Sequence, residues 1–259
     1  MNVKIIAAVF AALGMTTAIA AENYTGDAYA KDGGQLLYHE SHFLFDADGM
    51  HQRVVLYLCP DGEAFGRKII RDDGDPQAPD FAMLDARTDY REGVRRKDEQ
   101  REVYVQRGSD QAEKSEAISV PADGVIDAGF DVYVRNHWDE LAQGKTLQLP
   151  FLVPSKRAFY NFKLASVAAA STPQKLAVRL SLGAWYAFLA PSIDVVYDRA
   201  THRLLQFTGL SNIRDTDLKN YTVRIEFPQP AHSITQADVD NAKALKLAHS
   251  CKADAPTQK

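Results

Sequence analysis

The chain has 259 residues, of which 46% are hydrophobic and 25% are charged, and its formal net charge is −4. This composition is typical of a globular protein and excludes a disordered chain, a collagen-like repeat and a polytopic membrane protein. A small negative charge provides no basic field for nucleic acid, so we expect no nucleic-acid partner.

The N-terminal segment, residues 1–20, has the organisation of a secretory signal peptide. A lysine precedes the apolar run Ile5–Leu13, and residues 18–20 have the Ala-x-Ala pattern of a cleavage site. The apolar run is too short to cross a bilayer core of about 30 Å. We therefore predict export to the periplasm, with secretion as an alternative, and no integral membrane span in the mature chain, residues 21–259.

The two cysteines, Cys59 and Cys251, are far apart in sequence. An even number of cysteines in an exported chain favours a disulfide, and for a loop this long the chain-entropy model gives roughly 5 kcal/mol, less any native strain. Neither cysteine has a cysteine or histidine neighbour at metal-ligand spacing. The prediction is a Cys59–Cys251 disulfide, and the alternative is two unpaired thiols.

Alternation of apolar and polar residues predicts a mainly β fold. The segments Lys175–Gly183 and Tyr221–Phe227 each place apolar residues on one face, which is typical of antiparallel sheets with one buried face. Asp46–Gly49 predicts a hairpin turn. Further strands are predicted at Gln35–Phe45, Gln52–Cys59, Ala64–Arg71, Phe81–Arg87, Arg101–Arg107, Ala117–Val120, Thr146–Val153, Ala158–Val167, Ile193–Tyr197 and Arg203–Leu210.

A first helix is predicted from a cap at Asp127 to a stop at Gly144. Its apolar stripe carries the aromatic residues Phe130, Tyr133 and Trp138, and this stripe must face the sheet. We interpret the helix as a plug or a lid over the concave side.

A second helix is predicted near the C-terminus. Ser233 followed by Gln236 has the spacing of a capping box, and apolar residues continue at helical spacing to Cys251. The predicted disulfide would then tie this helix back to the sheet.

The aromatic segment Leu180–Pro191 contains Trp185 and Tyr186. One interpretation is core packing under a connection. The alternative is an apolar rim that contacts a ligand.

Several patterns suggest chemistry but have simpler explanations. His39 and His42 are three residues apart on a predicted strand, so they point to opposite faces and cannot share a metal. The acids near Asp75 fit a solvated turn, and the charges of Arg87–Arg107 largely compensate one another in a hairpin. No nucleophile elbow, phosphate loop or dinucleotide fingerprint is present. We predict no catalytic residue, no metal and no cofactor.

The order of elements after Asp127 carries a resemblance, through the segments Gly144–Phe151, Asp194–Asp198 and Arg203–Ile213. It resembles uncharacterised exported bacterial proteins built on a domain of unknown function. Their layout is similar to the curved half-barrel sheet of the lipoprotein carriers LolA and LolB. The resemblance covers the C-terminal part of the chain, implies a curved sheet and implies no catalytic residue.

The predicted fold is a single domain, residues 21–259. It is a strongly curved antiparallel sheet or half-barrel with one packed helix and a C-terminal helix. We predict a non-enzymatic protein that binds an apolar small molecule, a lipid or a lipidated chain. The predicted binding residues are Phe130, Tyr133, Trp138, Trp185 and Tyr186. One alternative is an envelope structural or assembly factor acting by protein–protein contacts, and another is an enzyme that uses His137 with Glu140.

Overall fold

The computed structural model of the protein describes residues 21–32, 34–72, 74–182 and 192–252. The predicted signal peptide, residues 1–20, lies outside the described residues. None of the helices in the described part of the chain has the length and apolar character that a membrane span requires.

Within the described residues, fifteen strands form one antiparallel sheet, which confirms the predicted fold class. In chain order the strands are β1 (Ala21–Ala30), β2 (Leu36–Ala47), β3 (Met50–Leu58), β4 (Ala64–Arg71), β5 (Asp80–Asp85), β6 (Tyr90–Lys97), β7 (Gln100–Arg107), β8 (Lys114–Ile118), β9 (Thr146–Val153), β10 (Ala158–Ser166), β11 (Lys175–Leu182), β12 (Ile193–Asp198), β13 (Leu204–Arg214), β14 (Asn220–Glu226) and β15 (His232–Ile234).

Two runs of consecutive hairpins make up the sheet. Strands β1 to β8 form one run and β9 to β14 form the other, and the two runs join where β1 pairs with β14. Strand β15 pairs with the first residues of β1. Among the described strands, β8 and β9 are the two ends of the order, so backbone hydrogen bonds do not close the sheet into a barrel.

Contacts between distant strands show that the sheet is curved. Asn212 on β13 donates a hydrogen bond of 2.5 Å to Glu92 on β6. These strands are seven places apart in the sheet order, which in a flat sheet would separate them by about 34 Å at about 4.8 Å per strand. The inner face therefore folds back on itself. We name Tyr90, Glu92, Asn212 and Arg214 the cross-wall cluster.

The helices pack on opposite faces of the sheet. Helix α1 (Gly129–Asn136) and helix α2 (Trp138–Ala142) pack on the inner face of the second run. Helix α3 (Gln236–Ala244) packs on the outer face of β2 and β3 through Val239 and Ala242.

The predicted first helix is broken in two, and its predicted cap is wrong. His137, with a φ of −107°, separates α1 from α2, and Ala128 is the N-cap residue. Asp127 has a φ of +46°, and both of its carboxylate oxygens accept hydrogen bonds from Lys68 at 2.8 Å. The buried ammonium needs a counter-charge, so this carboxylate is not available to cap a helix.

The second helix begins later and ends earlier than predicted. Ser233 belongs to β15, where its backbone pairs with β1, and the capping box is instead made by Thr235 and Asp238. The helix ends at Ala244, and a non-helical tail then carries Cys251 to Cys59. The Cα atoms of the two cysteines are 5.4 Å apart, and the disulfide is confirmed.

Candidate functional site

The inner face of the sheet lines a partly open cavity of about 370 Å³. Strands β1 to β4 and β12 to β14 form its walls, and α1 borders it. Most of the exposed lining is apolar. The apolar and aromatic lining residues are Tyr24, Leu44, Val55, Tyr57, Ile70, Ala128, Phe130, Val195, Tyr197, Leu204, Phe207, Leu210, Ile225, Phe227 and Ala231.

A second cavity, of about 380 Å³, adjoins the first. Its lining adds Phe45, Pro76, Pro79 and Val132, together with polar residues of the β2–β3 hairpin. The two cavities have lining residues in common. These shared residues are Glu22, Leu44, Arg53, Ile70 and Ala128.

Strand register brings charged side chains together at one end of the first cavity. His42 on β2 pairs with Val55 on β3, and Val55 pairs with Lys68 on β4. Paired residues of adjacent strands share a face, and every second residue of a strand returns to that face. We name Glu40, His42, Arg53, Lys68 and Asp127 the cavity cluster.

Lys68 and Asp127 form a buried ion pair within the cavity cluster. Their side chains are 7% and 12% exposed, and the Lys68 ammonium lies 2.8 Å from both carboxylate oxygens. Removing one partner of such a pair leaves an uncompensated buried charge. The pair therefore fixes the chain just before α1 to β4, and with it the wall that α1 contributes.

His42 and Glu40 form the second pair. Nε2 of His42 lies 2.9 Å from a Glu40 carboxylate oxygen, and the imidazole stacks on Tyr24 with ring centroids 4.4 Å apart. Burial lowers the pKa of His42, although the nearby Glu40 opposes this shift. A neutral imidazole donates from Nε2 to the carboxylate and leaves Nδ1 as an acceptor. In the described part of the structure this Nδ1 is buried and has no hydrogen-bond partner.

Arg53 differs from the other cations of the cavity. Arg135 donates to Asp131 at 2.9 Å, and Lys68 is held by Asp127. Arg53 is half-buried and borders both cavities, yet it forms no hydrogen bond or ion pair within the described residues. A guanidinium stays protonated at any physiological pH. Arg53 therefore carries a permanent positive charge, and no described group pairs with it directly.

The five predicted binding residues do not all lie at the cavity. Phe130 lines the cavity. Tyr133 and Trp138 are 3% and 9% exposed and pack in the core of the second run. Trp185 and Tyr186 lie outside the described residues. A ligand contact by any of these residues stays a prediction.

The other candidate groups lie away from the cavity lining or are compensated. His39 contacts Asp27 at 2.6 Å, on the face of β2 opposite to His42. His137 lies 3.0 Å from Glu140, and neither residue lines the cavity. Arg95 pairs with Glu102 on the adjacent strand β7, and Arg101 pairs with Asp80 on β5, two strands away.

No cluster of three or more potential metal ligands occurs among the described residues.

Sequence reasoning missed Arg53 and Lys68 as cavity residues. Both lie on strands that were predicted. Both also occupy alternate positions that face the same side of the sheet as buried residues such as Val55. A charged residue at an inward position of a predicted strand was the available signal.

By its own architecture the chain is β-barrel-like: a curved, unclosed antiparallel sheet around an internal cavity. No family model matches it, and no curated protein matches it. Several solved structures are similar, among them the following two. One is a β-barrel-like protein of the domain of unknown function DUF1849 from Brucella abortus, with 7% identity, a TM-score of 0.47, and coverage of 84% of this chain and 99% of that chain.

The other solved structure is a DUF1329 family protein from Desulfovibrio piger. It has 11% identity and a TM-score of 0.27, with coverage of 89% of this chain and 93% of that chain. We transfer no functional residue from either protein.

Proposed function

We propose that the protein binds an apolar molecule, a lipid or a lipidated chain, in the internal cavity and acts without catalysis. The observation that carries the proposal is the volume of about 370 Å³ that the inner face leaves unfilled between Phe207, Ile225 and Phe227 on one side and α1 on the other. Apolar walls with a few convergent polar groups are typical of small-molecule sites.

We further propose that the protein works in the periplasm. The Cys59–Cys251 disulfide supports an oxidising compartment, where such bonds form and persist. Residues 1–20 support export through their signal-like pattern. Strand β1 begins at Ala21, so removal of residues 1–20 would leave every described strand intact.

Fluorescence of cis-parinaric acid, a polyene fatty acid that brightens in apolar surroundings, tests ligand binding. The informative variant is Leu204→Trp, because Leu204 lines the cavity and a larger side chain would fill it. The matched control is Thr222→Trp, which adds the same indole at an exposed position of β14. We expect binding by the unaltered protein and by Thr222→Trp, and loss of binding by Leu204→Trp with its cooperative unfolding transition retained.

Mass spectrometry of an organic extract provides a second readout, with protein purified from its native host. The proposal predicts a co-purifying apolar species that the Leu204→Trp variant lacks. Absence of both probe binding and any co-purified species would reject the proposal. Protein crosslinks in intact cells would then favour the envelope assembly factor.

A further inference from the structure

Arg53 has the properties of a ligand-binding residue within the proposed binding function. The neighbouring cations are engaged: Lys68 binds both oxygens of Asp127, and Arg203 donates to the main-chain carbonyls of Phe227 and Gln229. Arg53 has no such partner within the described residues. Holding an unpartnered guanidinium partly out of water costs free energy, and a bound anion would offset that cost.

The surroundings of Arg53 combine charge with apolar surface. Leu44 on β2 and Ile70 on β4 are its cross-strand neighbours, and both line the two cavities. A guanidinium flanked by apolar side chains suits an amphiphile, whose head group would bind the charge while its tail covers the apolar walls.

Nearby acids limit the charge that the head group can carry. One oxygen of Asp131 accepts from Arg135, and its other oxygen is buried without a hydrogen-bond partner within the described residues. Glu40 is bound to His42, and neither acid forms a hydrogen bond with Arg53. Both would still repel an added anion, as would the exposed Glu22 that lines the same cavities. A carboxylate carries one charge and matches the guanidinium fork, whereas a phosphate monoester carries about −1.5 to −2.

Resting on the proposed function, we propose that the cavity binds an amphiphile with a single carboxylate head group, held by Arg53. The fork of the guanidinium would donate two hydrogen bonds to the carboxylate. The tail would lie along Phe207 and Ile225.

Isothermal titration calorimetry, which needs no competing carboxylate probe, tests this assignment with three ligands of equal tail length: decanoate, decanol and decyl phosphate. The proteins are the unaltered chain, Arg53→Met and, as a control, Arg91→Met, which removes an exposed arginine of β6. A charge-assisted hydrogen bond contributes about 1.5–3 kcal/mol, so the unaltered chain should bind decanoate about 10- to 100-fold more tightly than decanol. Arg53→Met should bind the two ligands equally, and Arg91→Met should behave like the unaltered chain.

Each contrary result has a defined meaning. Equal binding of decanoate and decanol by the unaltered chain would overturn the carboxylate assignment and leave the proposed function standing. If Arg53→Met weakened the binding of decanoate and of decanol by the same factor, the assignment would also be overturned. Arg53 would then act only through the shape of the cavity. Tighter binding of decyl phosphate than of decanoate would replace the carboxylate with a phosphate. Failure of all three ligands to bind would count against the proposed function itself.

Discussion

The cross-wall cluster and the cavity cluster both place charged side chains on the inner face of one sheet, but they differ in how those charges are matched. In the cross-wall cluster Glu92 accepts hydrogen bonds from Tyr90 at 2.6 Å and from Asn212, and the Arg214 guanidinium lies 3.6 Å from it. In the cavity cluster Arg53 has no partner within the described residues. The first group joins opposite walls, and the second borders open volume.

The difference separates a structural use of buried charge from the binding use that we propose. Arg214 is only 4% exposed, lies 3.6 Å from the centre of the Tyr90 ring, and donates to the Asn212 carbonyl. Nε of Arg214 is buried without a hydrogen-bond partner within the described residues, but the Glu92 charge is matched by groups of its own and the opposite wall. A charge matched in this way holds the walls together and leaves little for a ligand to add. We expect an unmatched charge beside a cavity to contribute little to folding, and under the proposed function it is available to a ligand. The following predictions test this contrast.

The largest effect is expected for Arg214→Met, which removes the cation of the cross-wall cluster and keeps the bulk of its aliphatic stem. Glu92, itself 2% exposed, would be left as a buried charge without a cation. We expect a loss of about 3 kcal/mol in the free energy of unfolding, measured by urea denaturation.

Two further variants control this measurement. Arg91→Met changes an exposed arginine of β6, the strand that carries Glu92. Its free energy of unfolding should stay within about 0.5 kcal/mol of that of the unaltered chain. Adding Glu92→Gln to Arg214→Met should recover part of the loss, because the unpaired charge is then gone. A loss below about 1 kcal/mol for Arg214→Met alone would show that the walls do not depend on this pair.

A smaller effect is expected for Gly129→Ala at the start of α1, the helix that borders the cavity. A Cβ atom at this position would lie 1.8 Å from the main-chain carbonyl oxygen of Gln77, so the helix start or the loop must move. We expect a loss of about 1–3 kcal/mol, together with weaker binding of cis-parinaric acid, by urea denaturation and fluorescence titration.

The control for the helix is Asn136→Ala, a substitution at an exposed position of α1. It should change the free energy of unfolding by less than about 0.5 kcal/mol and leave the binding of cis-parinaric acid unchanged. Normal stability of Gly129→Ala would mean that α1 moves freely, as a lid does, rather than serving as a fixed wall.

Strand positions were predictable from sequence wherever local alternation reflected burial. Ala64–Arg71 and Thr146–Val153 have the bounds that their patterns predict. Strand β6 was recognised only as part of a charged hairpin, because its buried Glu92 is satisfied by Asn212, a residue 120 positions away. The burial of Glu92 depends on how the sheet curves, so the local alternation of apolar and polar residues cannot predict it.

The central strand β1 was missed for a related reason. Its sequence is polar and contains Gly26, which usually weakens a strand. In the structure a Cβ atom at Gly26 would lie 2.5 Å from the Phe227 ring, so the glycine permits a close contact between β1 and β14. The partner ring comes from the far end of the chain. For the same reason the unmatched charge of Arg53 could not be predicted, because a missing partner is a property of the assembled cavity.

A pH effect of intermediate size is expected from His42. Its pKa is lowered in the folded protein by burial, so in the window below the unfolded value of about 6.5 the unfolded chain binds a proton that the folded chain does not. Stability should therefore fall as pH decreases through this window, by at most about 1.4 kcal/mol per pH unit from this one group.

The measurement is the free energy of unfolding from urea denaturation at several pH values, compared between the unaltered chain and His42→Gln. The variant should have a flatter profile below about pH 6.5, because the titrating imidazole is gone. Parallel profiles would mean that His42 binds its proton equally well in both states, which would contradict a buried neutral imidazole in the cavity cluster.

The smallest effect on stability is expected for Arg53→Met, the counterpart of Arg214→Met. Methionine keeps the apolar stem between Leu44 and Ile70, and the guanidinium that is lost has no direct partner in the described structure. Tyr24 and, after it, the acids Asp131, Asp127 and Glu40 raise the pKa of Arg53 although burial opposes this shift. Removing the guanidinium therefore loses some longer-range attraction but breaks no direct ion pair, so the free energy of unfolding should fall by less than about 1 kcal/mol. A loss near that of Arg214→Met would make Arg53 a structural residue and remove the contrast between the two clusters. A small change in stability combined with loss of the preference for decanoate over decanol would assign the Arg53 charge to the ligand rather than to the fold.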